Sequence, residues 1–249
     1  MISVGFDPYC GPAPVPAQLW SLWNFDPYVL FGLAALALSY LMWGRRDGAG
    51  RMAMLGALAI LFIAFVSPLC ALASALFSAR VFHHILLIAG AAPLLAIALP
   101  WRSGPILPLT ALVIGHAVIV WTWHAPLPYG FALSSHAAYW LMQLTLLGSA
   151  YLLWREVLSP LTRTGAGLMA LLATIIQMGL LGALLVFAPN PVFAPHFATT
   201  TAFGLTALQD QQLSGLLMWV PSILPYIAVA LWQIADLTRP TPARFGLAR

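Results

Sequence analysis

Two adjacent histidines, His83 and His84, follow Arg80 at the start of a hydrophobic segment that continues to about Leu99. Imidazole nitrogens bind copper, zinc and iron, and a guanidinium group binds anions. Taken as a helix, the segment is long enough to cross a bilayer. Ionisable groups in such a helix are costly and usually functional. The side chains that fold around these three residues should therefore show what the protein does.

The other histidines are predicted to lie towards the same side of a membrane. His124 closes one hydrophobic segment, with His116 two turns deeper, and His136 opens the next. His196 precedes the last segment, in which Met218 supplies a thioether, a ligand that favours copper(I). We predict a metal site built from His84, His124, His136 and Met218, with His83 and His116 as further candidates. The alternative for each histidine is an interfacial side chain bonded to a headgroup or a carbonyl, and for the methionine simple packing.

No short motif settles the chemistry. The chain has no close-spaced Cys/His motif, no nucleophile elbow, no phosphate loop and no dinucleotide fingerprint. Cys10 and Cys70 could form one bridge, a soft-metal pair, or neither. A haem protein using His116 and His136, and a copper transporter, remain alternatives. A metal-dependent hydrolase is less favoured, because the one glutamate, Glu156, is predicted on the cytoplasmic side of the membrane, away from the histidines.

The composition predicts an all-α, polytopic membrane helix bundle. Of the 249 residues, 62% are hydrophobic and 6% are charged, which excludes a soluble domain. The net charge of +4 comes from scattered arginines, so we expect no nucleic-acid binding. Seven spans are predicted, at about residues 27–43, 52–66, 82–99, 105–123, 134–154, 168–187 and 211–234.

The arginines predict the orientation. With the N-terminus outside and the C-terminus in the cytoplasm, nine of the ten basic residues fall in cytoplasmic turns, and only Arg80 lies outside. The chain then divides into an outer arm, 1–26, a membrane domain, 27–238, and a cytoplasmic tail, 239–249. As the one outer arginine, Arg80 should sit close to an acidic partner, for which Asp210 is the candidate. Lipid surrounds the membrane domain in this prediction.

Four stretches make the chain resemble the CtaG-type cytochrome c oxidase assembly factors. They are WNFDPYVLFGL at 23–33, LFSARVFHHILLIAGAAPLLAIALP at 76–100, WHAPLPYGFALSSHAAYWLMQ at 123–143 and LQDQQLSGLLMWVP at 208–221. The last is the most specific, because a polar opening on an apolar helix is unusual. In that family the third span opens with His-Met-x-x-His, whereas here Arg80 and Val81 replace the first two residues. The positions that match residue by residue are His84, His124, His136, Asp210, Gln211, Gln212, Met218 and Trp219.

The resemblance implies a role in building a haem-copper oxidase. It implies a non-enzymatic metallochaperone of the respiratory chain, located in the bacterial inner (plasma) membrane, that supplies copper to the catalytic subunit. A periplasmic copper donor would then be a second partner. Asp210, Gln211, Gln212, Arg80 and Trp219 would support the metal site.

Overall fold

The computed structural model describes residues 7–100 and 107–238, in which all regular secondary structure is helical and no β-strand occurs. The predicted all-α fold is therefore confirmed. The predictions for cytoplasmic Arg102 and for the tail 239–249 lie outside the described residues. The helices are α1 (Pro27–Trp43), α2 (Gly48–Phe65), α3 (Leu69–Ala75), α4 (Phe77–Ile85), α5 (Ala92–Ala98), α6 (Leu109–Trp123), α7 (Pro126–Ala132), α8 (His136–Val157), α9 (Thr164–Phe187), α10 (Ala207–Trp219) and α11 (Leu224–Leu237).

Local side chains determine where several helices begin. Asp26 and Asp47 each accept a hydrogen bond from a backbone N–H in the first turn of α1 and α2. At α10, Thr206 and Gln209 form a reciprocal capping box. Such caps pair N–H groups that the helix itself leaves free. The starts of these helices are thus encoded next to them in the sequence.

Four helical segments in the described part of the chain are long and apolar enough to cross a membrane. They are Gly48–Phe65, Phe77–Ala98, Thr164–Phe187 and Ala207–Leu237. Helices α6 and α7 together could form a fifth, bent by 76° between Trp123 and Pro126. Helix α1 is apolar but shorter, and α8 is less apolar. The count of seven spans and their direction remain predictions.

The segment Phe77–Ala98 is the centre of the bundle. Of its most apolar 18-residue window, 72% is buried, against 28–39% in the other three segments. Between α4 and α5 it contains a π-helical turn, Leu86–Ala91, and Trp154 of α8 donates a hydrogen bond to Ile88 O at 2.8 Å. Such turns widen a helix and are common at functional sites. This one directly follows the paired histidines of α4.

The N-terminal arm is fixed to the bundle by a disulfide between Cys10 and Cys70. Cys70 lies on α3, a short helix that is largely buried and packs against α4. Tyr9 of the arm stacks on Tyr139 of α8, with ring centroids 4.8 Å apart. Asn24 N also donates to Val66 O at 2.8 Å. The arm therefore covers the end of the bundle at which α4 and α8 begin.

Candidate functional site

The closest pair of imidazoles is formed by His84 of α4 and His124, which follows the last residue of α6. Nδ1 of His84 lies 3.3 Å from Nε2 of His124, and the two rings meet edge to face with centroids 5.1 Å apart. Both side chains are buried, at 1% and 3% exposure. The packing of the bundle thus joins two of the three imidazoles that the sequence predicts to bind a metal.

Backbone contacts determine the tautomer of His124. Its Nδ1 lies 2.7 Å from the carbonyl oxygen of Val120. Because a carbonyl only accepts, Nδ1 must carry the proton, and the lone pair of the neutral ring is on Nε2. A ring N–H held by a backbone carbonyl is the usual support of a metal-binding histidine. Nε2 of His124 therefore faces His84 with its lone pair, where it accepts a hydrogen bond from Nδ1–H of His84.

The spacing of these two nitrogens is that of a hydrogen bond, and it would also allow one metal ion. Two ligand nitrogens at about 2.05 Å from a tetrahedral ion lie about 3.3 Å apart, and the observed separation is 3.3 Å, so an ion could take the place of the proton once His84 carries its proton on Nε2. In the described parts of the chain, however, no group of three or more His, Cys, Asp and Glu side chains could hold a metal. Among the described residues, His84 and His124 thus meet without a third His, Cys, Asp or Glu side chain beside them.

His136 lies apart from this pair. Its side chain is 60% exposed at the start of α8, with Nε2 4.0 Å from Asp7 and the ring edge-on to Tyr9 at 5.3 Å. It lines an open cleft of about 460 Å³ together with Tyr9, Asp26, Tyr28 and Trp140. The arm thus contacts His136. The sequence could not show this contact, because His136 lies 126 positions after Cys10.

His83 and His116 are also buried but point elsewhere. The ring of His83 packs edge-on against Phe65 of α2 at 5.0 Å, and its centroid is 5.9 Å from that of His84. Nδ1 of His116 lies 2.9 Å from Ser149 Oγ, deeper between α6 and α8. The structure therefore does not bring His116 and His136, the pair considered for haem, to one place.

His196 is the buried histidine of the loop before α10. Its Nε2 lies 2.6 Å from the hydroxyl of Tyr129, and the side chain is 1% exposed. Burial lowers the pKa of His196 from 6.5 to about 4, and nearby Arg80 adds to this decrease. The imidazole is therefore neutral at pH 7 and adds no positive charge to its surroundings.

Asp210 does not form the predicted ion pair with Arg80. Its carboxylate accepts hydrogen bonds from Phe77 N at 2.7 Å, from Ser78 N at 3.2 Å and from the Ser78 hydroxyl. These donors belong to the first turn of α4, where backbone N–H groups are free and the helix dipole favours a negative charge. The carboxylate therefore caps α4 from α10, and the expectation of a close Arg80–Asp210 pair is corrected.

The other polar residues at the start of α10 also join helices together. Gln211 accepts from Val192 N at 2.8 Å and donates to Leu185 O at 3.4 Å. Gln212 donates to Val186 O at 3.3 Å. These amides fasten α10 to the end of α9 and to the loop after it. The unusual LQDQQ sequence is thus explained by packing between helices.

Met218 and Trp219 lie further along α10. The Met218 side chain is 1% exposed. A Cβ atom added to Gly182 of α9 would lie 3.4 Å from the Cβ of Met218, so Met218 faces α9. Trp219 is 42% exposed and meets Phe187 edge-on. Neither forms a hydrogen bond or a ring contact with His84 or His124.

Arg80 of α4 is fully buried. It is 0% exposed, and its guanidinium carbon lies 5.1 Å from the centroid of the Tyr139 ring. Tyr129 and Tyr139, whose hydroxyls interact electrostatically with Arg80, are two residues that the sequence analysis did not single out. Both belong to the WHAPLPYGFALSSHAAYWLMQ stretch, which could have drawn attention to them.

These observations describe a helical protein suited to a membrane, with buried histidines and an arginine near one end of its bundle. Residues 35–239 match the family described as cytochrome c oxidase caa3 assembly factor (Caa3_CtaG). Because the match covers most of the 249 residues, the chain belongs to this family. The resemblance seen in the four sequence stretches is confirmed. No curated protein and no solved structure matched the chain.

Proposed function

We propose that this protein assists the assembly of a haem-copper oxidase by holding copper for its catalytic subunit, without catalytic turnover. The family assignment supports the assembly role. The copper role is supported by the His84–His124 pair. The two facing nitrogens are spaced for one ion, and the His124 ring is held by a hydrogen bond to the Val120 carbonyl. Imidazole is a suitable copper ligand.

Two protein ligands suit a carrier better than a storage site. Only His84 and His124 converge, so a periplasmic donor could offer copper while still supplying a ligand, and the oxidase subunit could remove it in the same way. An ion with four protein ligands would be released more slowly. We therefore propose a pair in place of the triad of His84, His124 and His136, with His136 as an exposed outer residue beside the arm.

Copper binding can be tested directly on the purified protein. We expect His84→Ala and His124→Ala each to weaken copper(I) binding by about tenfold or more, since losing one ligand of two costs well over 1.4 kcal/mol. Oxidase assembly should fall while the abundance of the protein itself is unchanged. Ascorbate is the appropriate reductant, because it leaves the Cys10–Cys70 disulfide intact.

His116→Ala and His136→Ala are the matched controls for this measurement. His116 is equally buried but bonded to Ser149, and His136 is exposed. Both variants should retain copper. A loss in His136→Ala equal to that in His84→Ala would restore the three-histidine site, and unchanged binding in all four would rule out copper at this pair.

We further propose that the protein is inserted in the bacterial inner membrane by seven spans, with the N-terminus outside. The disulfide supports this orientation, because disulfides persist on the oxidising side of that membrane. Both cysteines fall on the outer side in the topology predicted from the arginines.

Cysteine labelling tests this topology. Gly48→Cys should react with a membrane-impermeant maleimide only after cells are permeabilised, whereas Ala198→Cys should react on intact cells. Both positions are exposed, and the native cysteines are joined to each other, so background labelling should be low. Position 196 itself is unsuitable because His196 is buried. Reaction of both variants from one side would contradict the proposed orientation.

A further inference from the structure

Arg80 is a buried cation without a counter-ion. The side chain is 0% exposed, and none of its Nε, Nη1 and Nη2 atoms makes a hydrogen bond of normal geometry. The Tyr129 and Tyr139 hydroxyls lie close enough to interact with the guanidinium through their charges and through poorly aligned hydrogen bonds, but neither is an anion that could neutralise it. A guanidinium stays protonated at any physiological pH, so its charge cannot be removed by losing a proton.

The acidic residues are all engaged elsewhere. The chain contains six Asp and Glu residues, every one of them in the described stretches, and none lies within 4.0 Å of the Arg80 nitrogens. Asp210, which contacts the first turn of the same helix as Arg80, uses its oxygens on Phe77 and Ser78. Asp26 accepts from Tyr9 and from Tyr28 N. No side-chain carboxylate of the protein therefore pairs with this cation.

The groups around Arg80 cannot replace a counter-ion. Its guanidinium lies over the ring of Tyr139, an attractive but weak contact for a desolvated charge. His196 and Tyr129 are bonded to each other and are neutral at pH 7. An isolated buried charge with unpaired donors is among the most unfavourable arrangements in a protein, and such charges are normally paired or hydrogen-bonded. Water could satisfy the donors but would not neutralise the charge.

We propose that Arg80 is the centre of a buried binding site for a small carboxylate-type anion, such as formate or hydrogen carbonate. The planar guanidinium donates two parallel hydrogen bonds to a pair of oxygens on one carbon, which is the geometry it fits best. Full burial restricts the ligand to a few heavy atoms and excludes an acidic side chain of a protein partner. The inference does not depend on copper, because Arg80 needs a counter-ion whether or not His84 and His124 hold a metal.

The arm forms the boundary of the proposed site on the outer side. Tyr9 lines the open cleft and stacks on Tyr139, the ring over which Arg80 lies. Tyr9 is in turn bonded to Asp26, and Cys10 beside it is joined to Cys70. A layer of aromatic rings tied down by the arm thus lies between the cleft and the guanidinium.

Thermal unfolding of the full chain in detergent tests the proposal. Formate would replace gluconate, a carboxylate too large for the site, at constant ionic strength and pH. We expect the Tm to rise with formate and to saturate, by several degrees at about a hundred times the Kd. Arg80→Gln should abolish the rise. Arg163→Gln, which removes the same charge from an exposed position, should retain it.

A second measurement covers the case in which Arg80→Gln does not fold. The ¹³C resonance of labelled formate should broaden in the presence of the native protein, and hydrogen carbonate should reverse the broadening by competition. An equal rise of the Tm in native protein, Arg80→Gln and Arg163→Gln would mean a general salt effect and overturn the site. Neither a rise nor broadening in the native protein would show that only water surrounds Arg80, which also overturns it.

Discussion

Replacing Gly215 by alanine adds a single methyl group and should strongly destabilise the protein. A Cβ atom at this position of α10 would lie 2.5 Å from Gly182 O and 2.7 Å from Val186 Cγ2. The first contact is with backbone, so α9 and α10 would have to separate. We expect a loss of about 3 kcal/mol in the free energy of unfolding, the upper part of the range for overpacked sites.

Gly179→Ala is the matched control for this prediction. Gly179 lies on α9 close to the same contact, yet nothing stands within 4 Å of its added Cβ. Alanine there should be neutral or should stabilise the helix by up to about 1 kcal/mol. Heating detergent-solubilised protein and measuring the folded fraction by gel filtration compares the two variants. Equal Tm values for Gly215→Ala and Gly179→Ala would contradict close backbone packing of these helices.

Asp210→Ala should be the most damaging substitution in the polar opening of α10. It would leave two backbone N–H groups and the Ser78 hydroxyl buried at the start of α4 without their acceptor. Each orphaned donor costs about 1–3 kcal/mol, so we expect the variant to lose at least about 3 kcal/mol and much of its folded yield. Copper binding would fall only as a consequence, because α4 also carries His84.

Two milder variants separate the cap from other roles of Asp210. Ser78→Ala removes one of the three hydrogen bonds and should cost about 1 kcal/mol. Asp210→Asn retains an acceptor oxygen but loses the charge at the helix N-terminus, and should lie between Ser78→Ala and Asp210→Ala. Their Tm values should follow that order. If Asp210→Ala unfolds no more readily than Ser78→Ala, the carboxylate does not hold α4 and α10 together.

The helices themselves were largely predictable, because their signals are local. The first span was predicted at residues 27–43 and α1 is Pro27–Trp43, with Asp26 as its cap. A run of apolar residues that ends at glycines, prolines and charges defines a helix whatever it later packs against. The last span, predicted as one segment at 211–234, is less simple, since α10 and α11 are separated by a short 3-10 turn, Pro221–Ile223, which begins at a proline.

The site was predictable only as a list of residue types. His84 and His124, two members of the predicted three-histidine site, lie next to each other, whereas His136 was expected beside them and lies exposed next to the arm. A position at the mouth of a span fixes the depth of a side chain but not the direction in which it points around the helix. That direction is set by which helices pack together.

The sequence alone determined the all-helical fold, the family, and the concentration of histidines towards one end of the bundle. These follow from composition, from apolar segment lengths and from four recognisable stretches, all of which can be examined without knowing any contact. Only the tertiary structure decided that Asp210 caps α4, that Cys10 joins Cys70, and that Arg80 is left without an acid. Each of these depends on residues at least 60 positions apart or on the absence of an acidic side chain beside Arg80. Such relations are set by the packing of whole helices, because no local pattern specifies which buried polar group another will meet.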